Sequence, residues 1–304
     1  MTRPRRLLLF VAVTLVFGTA FPPVKAGLSF FPPLLFVAAR NLIAAGLVLT
    51  YVGLTSESRL PRTRADWTAV LSGGLFLIGG IGFGFVGQQF ITGGVTAVIF
   101  GLSPIATALV AWVLLPEERL VGRDYVAVGL GFLGVAIVLR PDPAALLDPT
   151  VVGKLLVFVA VSVVAVGTVL VRRSRTAMPV HALTGWAMVV GATVQVGAAV
   201  AVGESVASVR LTPLALGTLR CLGVFAGALG LVGYLVLVTG IGPVKANLVT
   251  YLTPVIPLVL GWLFLDERIT LPTLVGFAVI VAGFALLESR TVAAELSKYR
   301  GTVR

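Results

Sequence analysis

Charge is scarce in this sequence. Only 12% of its 304 residues are Asp, Glu, Lys or Arg, about half the share that keeps a soluble globular surface wet. Cysteine occurs once, at Cys221 inside an apolar segment, which permits neither an internal disulfide nor a thiolate metal cluster and leaves the redox compartment unread. Histidine also occurs once, and His181, at the edge of an apolar run, reads as an interface residue rather than a ligand. The twelve acids, from Glu57 to Glu295, fall in loops or at the ends of apolar runs. No carboxylate therefore stands at mid-membrane to carry a proton, which argues against proton antiport. A P-loop is missing, so this chain encodes no nucleotide-driven pump. No metal, cofactor or catalytic residue is expected.

What the chain has is apolar length. Hydrophobic residues make up 58% of it and the mean hydropathy is +1.07. Runs of roughly 20 apolar residues recur, each able to cross about 30 Å of hydrocarbon. Ten spans are read, at roughly 6–27, 33–54, 67–88, 93–115, 122–140, 151–171, 181–203, 213–238, 242–265 and 271–288. Pro22-Pro23 and Pro32-Pro33 punctuate the first turnaround, and loops are short enough to make consecutive helices antiparallel neighbours. The polar tail, 289–304, reads as a frayed helix without assigned function. The opening MTRPRRLLLFVAVTLVFGTAF could pass for a signal peptide. Its twin later in the chain argues that it is retained as a span.

The net charge of +11 points to loops facing a membrane rather than to nucleic acid. With the N-terminus in the cytoplasm, the inner segments hold fifteen Lys and Arg residues, against four outside, Arg140, Lys154, Arg210 and Arg268. The positive-inside rule then places both termini in the cytoplasm of a multi-pass protein of the cell membrane. The expected partners are the lipid bilayer and a small-molecule substrate, with room for a homodimer.

Half of the chain is a copy of the other half. Leu102, Pro104, Trp112 and Leu115 fall 150 residues before Leu252, Pro254, Trp262 and Leu265, and Glu118-Arg119 falls 149 before Glu267-Arg268. At the 149-residue offset, Leu7, Gly18, Thr19, Gly74, Phe76, Gly84, Gly93, Ala97, Gly134 and Ala136 meet Leu156, Gly167, Thr168, Gly223, Phe225, Gly233, Gly242, Ala246, Gly283 and Ala285. Five spans per copy is an odd number, so the second copy enters the membrane from the other side. Such inverted repeats are typical of secondary transporters.

An Arg or Lys at the middle of a span costs about 2.5–3.5 kcal/mol on insertion scales, so each needs a reason. Arg40, with Asn41 beside it, lies about a third of the way into span two, and Lys25 lies near the outer end of span one. Either they face a cavity and attract a carboxylate or phosphate, or they snorkel to headgroups or pair with helix C-terminal carbonyls. Snorkelling is the stronger reading for Arg220 and Lys245. Gln88, Gln89, Asn247, Tyr234 and Tyr251, with Trp186 and Gln195, are the other polar or amphipathic residues at depth. Helix-to-helix bonding is the default for these residues, a shared cavity lining the second choice. Pro22, Pro23, Pro104, Pro254 and Pro257 break helices or gate, because each withdraws a backbone donor inside a span. Gly80-x-x-x-Gly84 and Gly223-x-x-x-Gly227 permit close approach of spans three and eight.

In FGTAFPPVKAGL, in AARNLIAAGL, and in the two span ends around Pro104…Glu118-Arg119 and Pro254…Glu267-Arg268, the chain resembles EamA-type permeases of the drug/metabolite transporter superfamily. Two EamA-like units are expected, near 7–139 and 155–288. The resemblance implies an all-α carrier of ten transmembrane helices, two inverted five-helix repeats that work by alternating access. Spans one to four and six to nine would line its cavity, with five and ten peripheral. Its members mostly export amino acids, metabolites or drugs, and some relatives exchange phosphorylated sugars. The expected function is thus a secondary-active exporter of a small organic metabolite such as an amino acid or amphipathic compound. The alternative, a membrane-embedded or lipid-modifying enzyme, requires Glu117, Glu118, Asp124 and His181 to gather in one pocket.

Overall fold

The computed structural model describes residues 3–55, 60–115, 122–140, 147–241, 249, 252–264 and 269–301. Among these residues every regular element is helical. The first crossing is two helices end to end, α1 (Arg3–Gly18) and α2 (Phe21–Gly27), and the second is α3 (Pro33–Thr55). The third joins α4 (Arg64–Ser72) to α5 (Gly79–Gly87) through a π-helical segment, Gly73–Ile78. The fourth is again divided, into α6 (Gly93–Phe100) and α7 (Ser103–Leu114), and α8 (Gly122–Leu139) is the fifth.

The second half repeats the plan. Crossings six and seven are α9 (Pro149–Arg173) and α10 (Val180–Ala201). Crossing eight joins α11 (Pro213–Arg220) to α12 (Gly230–Ile241) through a second π-helical segment, Cys221–Leu229. The last two are α13 (Val255–Phe264) and α14 (Leu271–Gly301). Among the described residues eight helices are long and apolar enough to cross a bilayer, and crossings nine and ten contribute the shorter apolar helices Val255–Phe264 and Leu271–Leu287. The polar tail is helical as far as Gly301, continuous with α14.

The local chemistry explains the starts and the breaks. Thr63 and Thr212, 149 residues apart, both cap the helix that follows by accepting from the amide three residues on, Asp66 in α4 and Ala215 in α11. Asp66 completes a capping box with Thr63 and also accepts from the Thr176 hydroxyl, which ties the α9–α10 loop to the start of crossing three. Pro22 and Pro23 belong to the first turn of α2, inside crossing one, rather than to the turnaround. That first turn tolerates the missing amides, because they have no partner there in any helix. The turnaround proper is Leu28–Pro32.

Packing follows the repeat. Crossing three lies against six and seven, crossing eight against one and two, crossing two against seven, and five against ten. The glycine motifs serve these contacts rather than a contact between three and eight. A Cβ on Gly80 would meet Val163 of α9, and one on Gly223 or Gly227 would meet Ile43 or Ala44 of α3. Crossings five and ten, α8 and α14, touch backbone to backbone. A Cβ on Gly134 would lie 2.6 Å from the Gly276 carbonyl oxygen, and one on Gly283 would lie 2.7 Å from that of Ala127. Gly283 and Gly276 stand 149 residues after Gly134 and Ala127, so the two contacts are one contact seen twice across a pseudo-twofold axis.

Gly134→Val should therefore force α8 off α14 and cost about 1–3 kcal/mol, the usual penalty of overpacking. Gly129→Ala on the same helix, where an added Cβ meets nothing within 4 Å, should be neutral. Melting of the purified variants in detergent checks both.

Candidate functional site

Three crossings converge on one run of polar side chains. Arg40 is the eighth residue of α3, about 10 Å from its N-terminal end at 1.5 Å per residue. Its Nε and Nη2 donate to Asn41 Oδ1 at 3.2 and 2.9 Å. Asn41 Nδ2 donates to Gln195 Oε1 of α10 at 3.0 Å, and Gln195 Nε2 donates to the Ile78 carbonyl at 2.8 Å. Asn41 and Gln195 are buried, at 0% and 1% exposure. Their amides can take only one orientation, because a guanidinium donates only and a carbonyl accepts only.

The run ends where the backbone is irregular. Ile78 is the last residue of the first π-helical segment. A π turn shifts the hydrogen-bond register, and such turns are frequent at functional sites. Arg40 itself is half-buried and its guanidinium carbon lies 5.6 Å from the centre of the Phe85 ring on α5, a cation–π distance. The backbone at Arg40 faces Gly223 of crossing eight. The guanidinium's neighbours are thus Asn41 of its own helix and Phe85 of crossing three, with Gly223 of crossing eight against its backbone. Among the described residues the one ion pair joins Arg123 to Asp124, so Arg40 has no carboxylate beside it there.

Lys25 has a different surrounding. Its ammonium donates to the carbonyls of Gln88, Gln89 and Ile91 at 2.9, 3.1 and 3.1 Å, capping the C-terminal end of α5 as a cation does favourably. Gln88 is buried and answers across the same gap, its Nε2 donating to the Phe21 carbonyl at 3.0 Å. Gln89 is exposed and bonds its own helix at Val86. Tyr234 is half-buried on α12, its ring 6.2 Å from that of Phe17 on α1. Asn247, Tyr251, Lys245 and both Glu-Arg pairs lie outside the described residues. The candidates thus form separate groups, and Arg40 with Asn41 reaches the other half by hydrogen bonding to Gln195.

Two contributors stand outside the candidate site residues, Gln195 reading in the sequence only as one of the polar residues at depth. Gln195 completes the polar run. Glu204, in the α10–α11 connection, accepts the Leu34 and Leu35 amides at 3.0 and 2.9 Å and so caps α3 above Arg40. The signal for Gln195 was its place as an uncharged polar residue inside an apolar span, and Glu204 carried none.

The prolines mark real breaks. Crossing four divides at Gly101-Leu102, with Pro104 in the first turn of α7, and crossing nine turns at Thr253-Pro254, with Pro254 and Pro257 buried. Among the described residues no group of three His, Cys, Asp or Glu could hold a metal ion, and His181 packs edge-on to Tyr51 with ring centres 5.9 Å apart.

Comparison with known proteins agrees with this architecture. The uncharacterized transporter YvbV of Bacillus subtilis is 28% identical over 295 residues, covering 96% of this chain and 94% of its own. A WAT1-related chloroplastic protein of Arabidopsis thaliana is 30% identical over 285 residues, 89% of this chain and 66% of its own. A crystal structure at 19% identity shares the fold, with a TM-score of 0.64 over 94% of this chain and 98% of that one. The profile of the EamA-like transporter family matches twice, over residues 5–140 and 151–289. The chain is a multi-pass membrane transporter and belongs to the EamA-like family of the drug/metabolite transporter superfamily.

Proposed function

We propose that this protein is a secondary-active carrier that exports a small organic metabolite, an amino acid or an amphipathic compound, across the cell membrane by alternating access, with both termini in the cytoplasm. The observation that carries the reading is the polar run from Arg40 to the Ile78 carbonyl, which joins two inverted halves whose helices are interrupted at matching positions. Matched interruptions of this kind are where carriers place their solute. The export direction rests on the resemblance to permeases that mostly export.

A closed outer end supports the reading. Under the proposed orientation, the turnaround after α2, the α5–α6 turn and the α10–α11 connection all face outward. There Lys25 and Gln88 tie crossing one to the end of crossing three. The Arg210 amide donates to the Phe30 carbonyl at 3.0 Å. Beneath them Phe31 stacks on Phe36 at 4.9 Å and Phe36 meets Phe85 edge-on at 5.7 Å. Phe31, Phe36 and Phe85 thus pack beneath charge-assisted bonds at this end, and access in this state would be from the inside.

Reconstituted protein should give saturable uptake and counterflow of at least one metabolite. Flux that rises linearly with concentration, without counterflow for any of them, would remove the carrier reading. Sidedness has its own measurement, because Cys221 is the single native thiol. In a Cys221→Ala background, Leu211→Cys should react with a membrane-impermeant maleimide on intact cells. Leu60→Cys, in the twin loop of the first half, should react only after permeabilisation. Labelling of both from one side would overturn the inverted threading.

A further inference from the structure

We infer that the guanidinium of Arg40 is the docking point for a single carboxylate on the transported solute, held in place by Asn41 and Gln195 as positioning residues. This deepens the carrier reading and rests on it. A guanidinium offers five N–H donors along its edges. The side edge, Nε with one N–H of Nη2, is taken by Asn41 Oδ1. The end edge, the second N–H of Nη2 with both on Nη1, has no acceptor among the described residues. That edge matches the two oxygens of a carboxylate in the bidentate geometry that arginine favours.

Charge leads to the same class of ligand. No Asp or Glu occurs within α3, α5 or α10. Glu204, against the start of α3, spends its oxygens on the Leu34 and Leu35 amides. Of the neighbouring cations, Lys25 is committed to three carbonyls and Arg220 of crossing eight is exposed. The one open edge of Arg40 neutralises a monoanion, whereas a phosphate dianion held by that edge would keep a net negative charge where the dielectric is low.

The polar run makes the edge a fixed one. With Ile78 O at its far end as an acceptor, Gln195 must present Oε1 to Asn41, and Asn41 must present Oδ1 to Arg40. The guanidinium is therefore held against rotation while its end edge stays open, and little side-chain freedom remains to be lost on binding. Ile78 closes a π-helical segment of crossing three, so the run also links the docking point to an irregular stretch of backbone.

The test uses full-length protein and a defined panel: L-amino acids, short 2-hydroxy acids, their carboxamides, and phosphate monoesters. At least one carboxylate should raise the melting midpoint and drive counterflow, and its carboxamide should bind about tenfold or more weaker, the usual loss when one charge-assisted pair goes. Arg40→Lys, which keeps the charge but loses the planar edge, should weaken carboxylate binding and leave the carboxamide unchanged. Asn41→Asp supplies an internal counter-ion and should abolish carboxylate preference in protein that still elutes as a single species. Gln195→Leu should weaken the carboxylate, with partial rescue by Gln195→Asn. Equal affinity for carboxamides, tighter binding of phosphate monoesters, or unaltered carboxylate binding in both Arg40→Lys and Asn41→Asp would overturn the inference. Saturable flux of a neutral or cationic solute that survives Arg40→Ala would overturn it while leaving the carrier reading intact. Absence of saturable flux for every solute would remove both.

Discussion

One run of hydrogen bonds constrains the centre of this bundle: Arg40 to Asn41, Asn41 to Gln195, Gln195 to the carbonyl of Ile78. It begins at a group that can only donate and ends at one that can only accept, so every member has a single role. It also crosses the repeat boundary, from crossing two to crossing seven and back to crossing three. Buried polar groups in hydrocarbon are costly unless each is satisfied. The two halves therefore cannot separate at this level without stranding an amide or a carbonyl. Crossings two and seven, the pair on the pseudo-twofold axis, are held by this chemistry as well as by packing.

Around that fixed centre the backbone is deliberately irregular. Crossings three and eight each carry a π-helical segment, at Gly73–Ile78 and Cys221–Leu229, and crossings one, four and nine are interrupted at or next to prolines. Each interruption leaves a backbone carbonyl without its usual donor, a state tolerated at membrane depth only in the protein interior or beside water. Crossings five and ten show the contrary design. They run unbroken as α8 and α14 and meet through glycines close enough for backbone contact. Crossings two, six and seven are unbroken as well, so the irregularity is confined to crossings one, three, four, eight and nine.

The candidates read from sequence divided according to what their neighbours could offer. Arg40 and Lys25 looked alike as isolated cations in the outer half. In the fold, three carbonyls at the end of α5 meet Lys25, whereas Arg40 meets one amide oxygen and the face of Phe85. Gln88 and Gln89, adjacent in sequence, part company because successive helical residues point about 100° apart. One enters the gap toward Phe21 and the other faces outward. Gln195 gave the same sequence signal as several residues that only tie neighbouring helices. Its importance depends on what lies 154 positions away at Asn41.

Apolar length, the 149-residue self-similarity and the prolines were enough to determine an all-α membrane bundle of two inverted halves. Hydropathy, repeat spacing and missing donors are properties of the chain itself, and they act whatever the packing. The π-helical segments, the commitment of Lys25, the cap that Glu204 places on α3 and the open edge of Arg40 were decided only by tertiary structure. Each depends on which acceptor reaches a donor across tens of residues, and hydrogen-bond geometry over such separations exists only once the helices have packed.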